Sequence, residues 1–217
     1  MLNIIKSRLL NFPVLLLVSG CILLFLISGI VPVDRKLKFI NNQITAPAFP
    51  GYKIQSGDII FRDGRGFISS LFKRLSLKDP AYSHAGIIHR ENGGVFVYHI
   101  IGGEGRNNKI KKDLLLDFCS PLQSHAFAMY RTDQSGMNID SLAGNYFSKG
   151  ILFDNNFSLV SDDKMYCTEF IFKILQQVSG QNNYLPLTVL SGIKYISCDN
   201  IYLSPHLIKI YSYNYSN

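Results

Sequence analysis

Ser83-His84-Ala85-Gly86-Ile87-Ile88-His89-Arg90-Glu91-Asn92-Gly93-Gly94-Val95-Phe96-Val97-Tyr98-His99-Ile100-Ile101 is the stretch on which the reading of this chain turns. Residues 84–90 and 95–101 are rich in β-branched and aromatic side chains, and the Asn-Gly pair between them suits a tight turn with positive φ. A β-hairpin is predicted. Across it, residues ten or more positions apart face each other, so His99 is placed to hydrogen-bond His84 and fix its tautomer. Ala85 and Gly86 leave room beside His84 for a substrate or another backbone. The plain alternative is two satisfied, half-buried histidines.

Outward from the hairpin, residues 58–61 read as a buried strand after the Gly57 turn, and residues 67–75 are apolar at helical spacing. Residues 126–131 are a strand candidate, 139–147 a helix and 208–211 an edge strand. The strongest helix spans residues 164–178, where Cys167, Ile171, Ile174 and Val178 recur every three or four positions and turn the cysteine inward. Ser161-Asp162-Asp163 is its candidate cap, and Gly180 with Asn182 ends it. A cysteine in the first turns of a helix gains from the peptide dipoles, and a nearby imidazole favours its thiolate further. Asp162 and Asp163 oppose that effect if they face the sulfur. On spacing alone Cys167 reads first as a small buried hydrophobe. As a nucleophile it needs a base distant in sequence. Of the five histidines, His84 with His99 offers one, while His89, His125 and His206 have no comparable support.

The 217 residues, with 47% hydrophobic content, suffice for one domain after a targeting segment. A net charge of +7 suits acidic surroundings, but the basic residues are dispersed and no nucleic-acid-binding signature accompanies them. Cys21, Cys119, Cys167 and Cys198 form neither a CxxC pair nor a Cys/His ladder, so no zinc site or dense disulfide framework is indicated, although one disulfide involving Cys119 or Cys198 stays open. Gly102-Gly103-Glu104-Gly105 lacks the Lys-Ser/Thr of a phosphate loop and reads as a loop at the border of the cleft.

Residues 1–11 form a short tail carrying Lys6 and Arg8. Residues 12–33 are uncharged and long enough to span a bilayer as a signal anchor, residues 34–50 are a linker, and residues 51–217 are the domain. Leu17-Val18-Ser19-Gly20-Cys21 also resembles a bacterial lipoprotein box, with Cys21 as the lipidated residue. Either reading tethers the domain to a membrane; for the anchor, the bacterial inner membrane with the domain on the exported side is expected.

Five blocks in order, Gly57-Asp58-Ile59-Ile60-Phe61, Ser83-His84-Ala85-Gly86-Ile87, Val97-Tyr98-His99-Ile100, Gly150-Ile151-Leu152-Phe153-Asp154 and Tyr166-Cys167-Thr168-Glu169-Phe170, resemble the YiiX/YaeF family of permuted papain-like amidases. That family is related to NlpC-type peptidases and lecithin:retinol acyltransferases, and its permutation puts the histidine strand before the cysteine helix. The resemblance implies an α+β, circularly permuted papain-like fold, an antiparallel sheet packed against helices, preceded here by the transmembrane segment. It implies Cys167 as nucleophile, His84 as base and His99 as the third polar position, where many relatives carry a carboxylate. Asp58 and Asp154 fall at positions read as structural, and Glu169 as support for the helix.

The expected function is a membrane-anchored cysteine hydrolase that cleaves an amide in a cell-envelope peptide or an acylated, lipid-linked substrate through a thiol acyl-enzyme, without metal or organic cofactor. The alternatives are a lipid acyltransferase or thioesterase of the same fold, and a catalytically inactive envelope binding module. An apolar surface around the cleft favours lipid substrates; a polar open groove favours peptides.

Overall fold

A computed structural model describes residue 49 and residues 54–102, 108–134 and 138–215. The segment 12–33, Cys21, nearly all of the linker, and residues 103–105 of the glycine-rich stretch lie outside these. Among the described residues, no helix is long and apolar enough to cross a membrane.

The hairpin forms as expected. Strand β2 (His84–Glu91) pairs antiparallel with β3 (Gly94–Ile101), placing Ile87 opposite Tyr98. Asn92 and Gly93 both adopt positive φ, 48° and 79°, the left-handed pair such a turn requires. Around it an eight-stranded sheet runs β10-β5-β1-β2-β3-β4-β6-β7, built with β1 (Ile59–Gly64), β4 (Lys109–Leu114), β5 (Ser124–Thr132), β6 (Leu152–Phe153), β7 (Lys164–Met165) and β10 (Leu207–Asn214). β10 is the edge strand expected near residue 208. A small hairpin, β8 (Thr188–Leu190) and β9 (Ile193–Tyr195), stands apart from the sheet's hydrogen bonding.

Strand alternation sorts side chains onto two faces. Ile59, Phe61, Ala85, Ile87, Tyr98 and Ile100 join one apolar cluster with Phe170, Ile171 and Ile174 of the long helix. Ile60, Ile88, Val97, Phe127 and Met129 join the other. The helices are α1 (Phe67–Lys73), α2 (Leu115–Phe118), α3 (Ile139–Lys149), α4 (Cys167–Ser179) and α5 (Cys198–Tyr202).

Two expectations are corrected. The sheet is not wholly antiparallel, because β6 and β7 pair in parallel. That pairing also takes Lys164 and Met165 out of the helix predicted over 164–178, so α4 begins at Cys167. Its cap is Tyr166, in extended conformation, not Ser161-Asp162-Asp163. Asp162 instead pairs with Lys173 at 2.5 Å.

The room at Gly86 is filled by another backbone. A Cβ there would stand 2.8 Å from the Tyr98 carbonyl oxygen and 2.5 Å from Val97 Cγ1. Gly86→Ala is therefore expected to destabilise the domain by about 1–3 kcal/mol through overpacking, to be read as a lowered denaturation midpoint with an unchanged m-value.

Candidate active site

The first turn of α4 is held from both sides. The Tyr166 N–H donates to Glu169 Oε2 at 3.3 Å, and Glu169 thereby supports the helix start. Thr168 Oγ1 donates to the Ile196 carbonyl at 2.7 Å, and the Ile196 N–H returns a bond to the Tyr166 hydroxyl at 2.9 Å. Cys167 lies between these anchors, buried, where the helix leaves its first N–H groups without intrahelical partners.

His84 opens β2, and its sheet partner on β1 is Arg62. His84 Nε2 is 2.9 Å from His99 Nδ1, and His99 Nε2 is 2.9 Å from Asp113 Oδ2. β4 carries Asp113 opposite Val97, one diagonal step from His99 on the same face. The end of this line fixes all of it. A carboxylate only accepts, so His99 carries its proton on Nε2 and presents a bare Nδ1. That nitrogen accepts from His84 Nε2–H, which leaves His84 Nδ1 as the basic nitrogen. One carboxylate thus sets two tautomers.

The sulfur and the base meet through a peptide. The Ala85 N–H, bonded covalently to the His84 carbonyl carbon, favours the Cys167 thiolate, as do the N–H groups of Cys167 and Thr168. Thiol and imidazole share no hydrogen bond in this resting geometry, and such contacts commonly tighten only when substrate is bound.

Burial dominates the electrostatics. It pushes the Cys167 thiol up to about 11, against the pull of those N–H groups and of Arg62. It also holds His84 well below its ordinary value, and Arg62 and His99 push the same way. The resting pair is therefore thiol and neutral imidazole. The helix-start N–H effect expected from the sequence is present but smaller than desolvation, and His84 is not among the groups that act on the thiol. His99 is likewise lowered by burial, and Asp113 opposes the shift. Arg62 is buried, donates from Nη1 to the Phe118 carbonyl at 3.0 Å and lies 4.4 Å above the Phe118 ring. Among the described residues its Nε has no hydrogen-bond partner. This cation favours a thiolate on Cys167 and neutrality on His84.

The other residues singled out fall into structural places. Asp58 accepts two bonds from Arg131, at 2.7 and 2.8 Å. Asp154 accepts the N–H groups of Asn156 and Ser158, at 2.8 and 2.7 Å. Cys119, Cys167 and Cys198 are free thiols, so no disulfide joins them. Asp113 and Arg62 were not recognised as site residues from the sequence. Asp113 is brought to the site by a strand that pairs antiparallel with the His99 strand.

Glu169 is fully buried, with Oε1 3.1 Å from Lys173 Nζ in an ion pair lacking hydrogen-bond geometry. Burial pushes its carboxyl up to about 7, opposed by Lys173 and the Tyr166 N–H. The folded state holds this proton more tightly than the unfolded chain, whose ordinary value is 4.5. Stability from this group is therefore complete below about pH 4.5 and lost as pH rises through about 7. Glu169→Gln is expected to remove that dependence and raise stability at pH 8 by up to about 3 kcal/mol, while changing little near pH 4; urea midpoints across pH measure it.

Beside Cys167 lies a narrow cavity of about 20 Å³ whose lining includes Phe72, Leu75, Phe157, Ile196 and Cys198. A central hairpin bearing two bonded histidines, followed in the chain by a helix that opens on a cysteine, defines a permuted papain-like protein. The chain belongs to the family of permuted papain-like amidases, YaeF/YiiX, C92, whose model matches residues 53–211. It is 26% identical over 154 residues to the uncharacterized protein YiiX of Escherichia coli strain K12, covering 68% of this chain and 70% of that one. The crystal structure of metalloprotein yiiX from Escherichia coli O157:H7 shares the fold, with a TM-score of 0.59 and 21% identity over 74% of this chain and 98% of that one.

Proposed function

We propose that the chain is a thiol hydrolase that cleaves an amide or thioester bearing an apolar acyl group. The observation that carries this is the bonded line Asp113–His99–His84, whose next residue, Ala85, turns its N–H to a cysteine at a helix start. Because thiol and imidazole rest neutral, His84 Nδ1 removes the Sγ proton as sulfur attacks the carbonyl carbon. The oxyanion accepts from N–H groups at the start of α4. The amine or thiol leaves with the proton from His84, and an acyl thioester remains on Cys167. Water, deprotonated by His84, releases the acid and restores the thiol.

The cavity, at about 20 Å³, has room for about one water, but its rim, where Phe72, Leu75, Phe157 and Ile196 stand beside Ser83, Thr168 and Ser197, favours an acyl chain over a polar peptide. It equally favours transfer of the acyl group to a lipid acceptor, so an apolar alcohol or amine is expected to compete with water. The Escherichia coli O157:H7 relative is described as a metalloprotein. Here, among the described residues, no group of three or more His, Cys, Asp or Glu could hold a metal ion, and His84, His99 and Asp113 bond to one another in a line and do not converge on a point. No step of the reaction is assigned to a metal.

Asp113→Asn is expected to lower kcat/KM by about 10–100-fold, because the tautomer lock is weakened while the base stays in place. A series of p-nitrophenyl acyl esters and acyl anilides of increasing chain length tests the substrate class. Rates that rise with chain length and vanish in Cys167→Ala support the reading. Indifference to chain length, with cleavage of polar peptide amides, overturns it.

A further inference from the structure

We propose that the face around the Cys167 cavity is a docking surface for an anionic lipid bilayer, from which the acyl substrate reaches the sulfur without crossing water. Besides Ser83 and the start of α4, three stretches line the cavity: the end of α1 and its turn through Phe72 and Leu75, the loop after β6 through Phe157, and the segment leading into α5 through Ile196, Ser197 and Cys198. They are tied together by the Phe72–Phe157 ring contact at 5.6 Å and by the Tyr195 hydroxyl donating to the Leu75 carbonyl at 3.0 Å.

Each stretch, or the hairpin leading into it, also carries large apolar side chains turned to solvent. Phe67 is 72% exposed on α1, Val160 93% after the Phe157 loop, and Ile193 63% on β9. Leu71, Leu77 and Leu190 are exposed beside them. α1 buries none of its residues. These side chains stand in the stretches that border the cavity, and a lipid surface would cover them. The charge agrees: Arg65, Arg74, Lys78 and Lys194 are exposed in the same stretches. Of the neighbouring acids, Asp63 is paired with Lys73 and Asp162 with Lys173, leaving Asp163 and the half-buried Asp79. Basic side chains around an apolar patch match anionic headgroups. The route of the substrate rests on the reading of Cys167 as nucleophile; the docking does not.

The chain contains no tryptophan, so a single introduced indole reports its own surroundings. Full-length Phe67→Trp and Ile193→Trp, reconstituted in phosphatidylcholine/phosphatidylglycerol vesicles with brominated acyl chains, are expected to show blue-shifted emission quenched about twofold or more. The quenching is expected to weaken when phosphatidylglycerol is omitted or salt is raised. Ile208→Trp, on a side chain 71% exposed on β10, is expected to stay unquenched. Three results overturn the proposal: no quenching at 67 and 193, equal quenching at 208, or a blue shift at 67 without lipid that grows with protein concentration, which would mark a second copy as the occupant. Hydrolysis of a short, water-soluble ester is measured on the same preparations. Its absence sinks the catalytic reading and leaves the quenching result standing.

Discussion

Cys167→Ala is expected to abolish turnover of any acyl ester or amide the protein accepts, lowering kcat by about 10⁴-fold or more. The loss is that large because the sulfur forms the covalent bond and nothing beside it replaces it: Thr168 Oγ1 is engaged by the Ile196 carbonyl, and Cys198 is held far above its ordinary value by burial. The fold should survive the change, since α4 is fixed by Phe170, Ile171 and Ile174 in the core and by the Tyr166–Glu169 bond. Circular dichroism and the urea midpoint of the variant check that the loss is chemical. Cys167→Ser is expected to be nearly as inactive, because a neutral base must then deprotonate a weaker acid.

His84→Ala is expected to lower kcat/KM by about 10²–10⁴-fold, with the sign of its pH effects set by burial. His84 is held well below 6.5 in the folded protein, so it remains an unprotonated base at pH values where a free imidazole is already charged. The acid limb of the wild-type pH–rate profile should therefore lie below pH 6.5. The same shift makes the wild type acid-sensitive: the stability contributed by neutral His84 is present above about pH 6.5 and lost as pH falls below it. His84→Ala should lose activity at every pH and at the same time flatten part of the acid limb of the stability curve. Paired rate and urea-denaturation profiles between pH 4 and 8 separate the two.

The hairpin was legible because its information is local: an Asn-Gly turn fixes the register, and the register puts His99 beside His84. The cysteine helix was legible from the spacing of Cys167, Ile171 and Ile174, although its start was read three residues early, since only the parallel pairing of β6 with β7 removes Lys164 and Met165 from it. β4 was not seen. Lys109-Ile110-Lys111-Lys112-Asp113-Leu114 holds one deeply buried apolar residue, Ile110, and is held by its pairing to β3 and by Lys112 over the Phe96 ring. A strand stabilised by its neighbours leaves a faint pattern in its own sequence, and Asp113 was lost with it. The burial of Arg62 leaves no local signal, because it depends on the Phe118 carbonyl, 56 positions away. The segment 12–33 and the tethering it implies stand on sequence alone.

The central claim is that Cys167 carries an acyl group during turnover. Full-length protein mixed with a medium-chain p-nitrophenyl ester and quenched in acid at early times can be mapped by peptide mass spectrometry. The account predicts one acyl thioester, on Cys167, absent from Cys167→Ala and formed at least about 100-fold more slowly in His84→Ala. An unmodified Cys167 during ester turnover, or acylation spread equally over Cys167, Cys119 and Cys198, would contradict it.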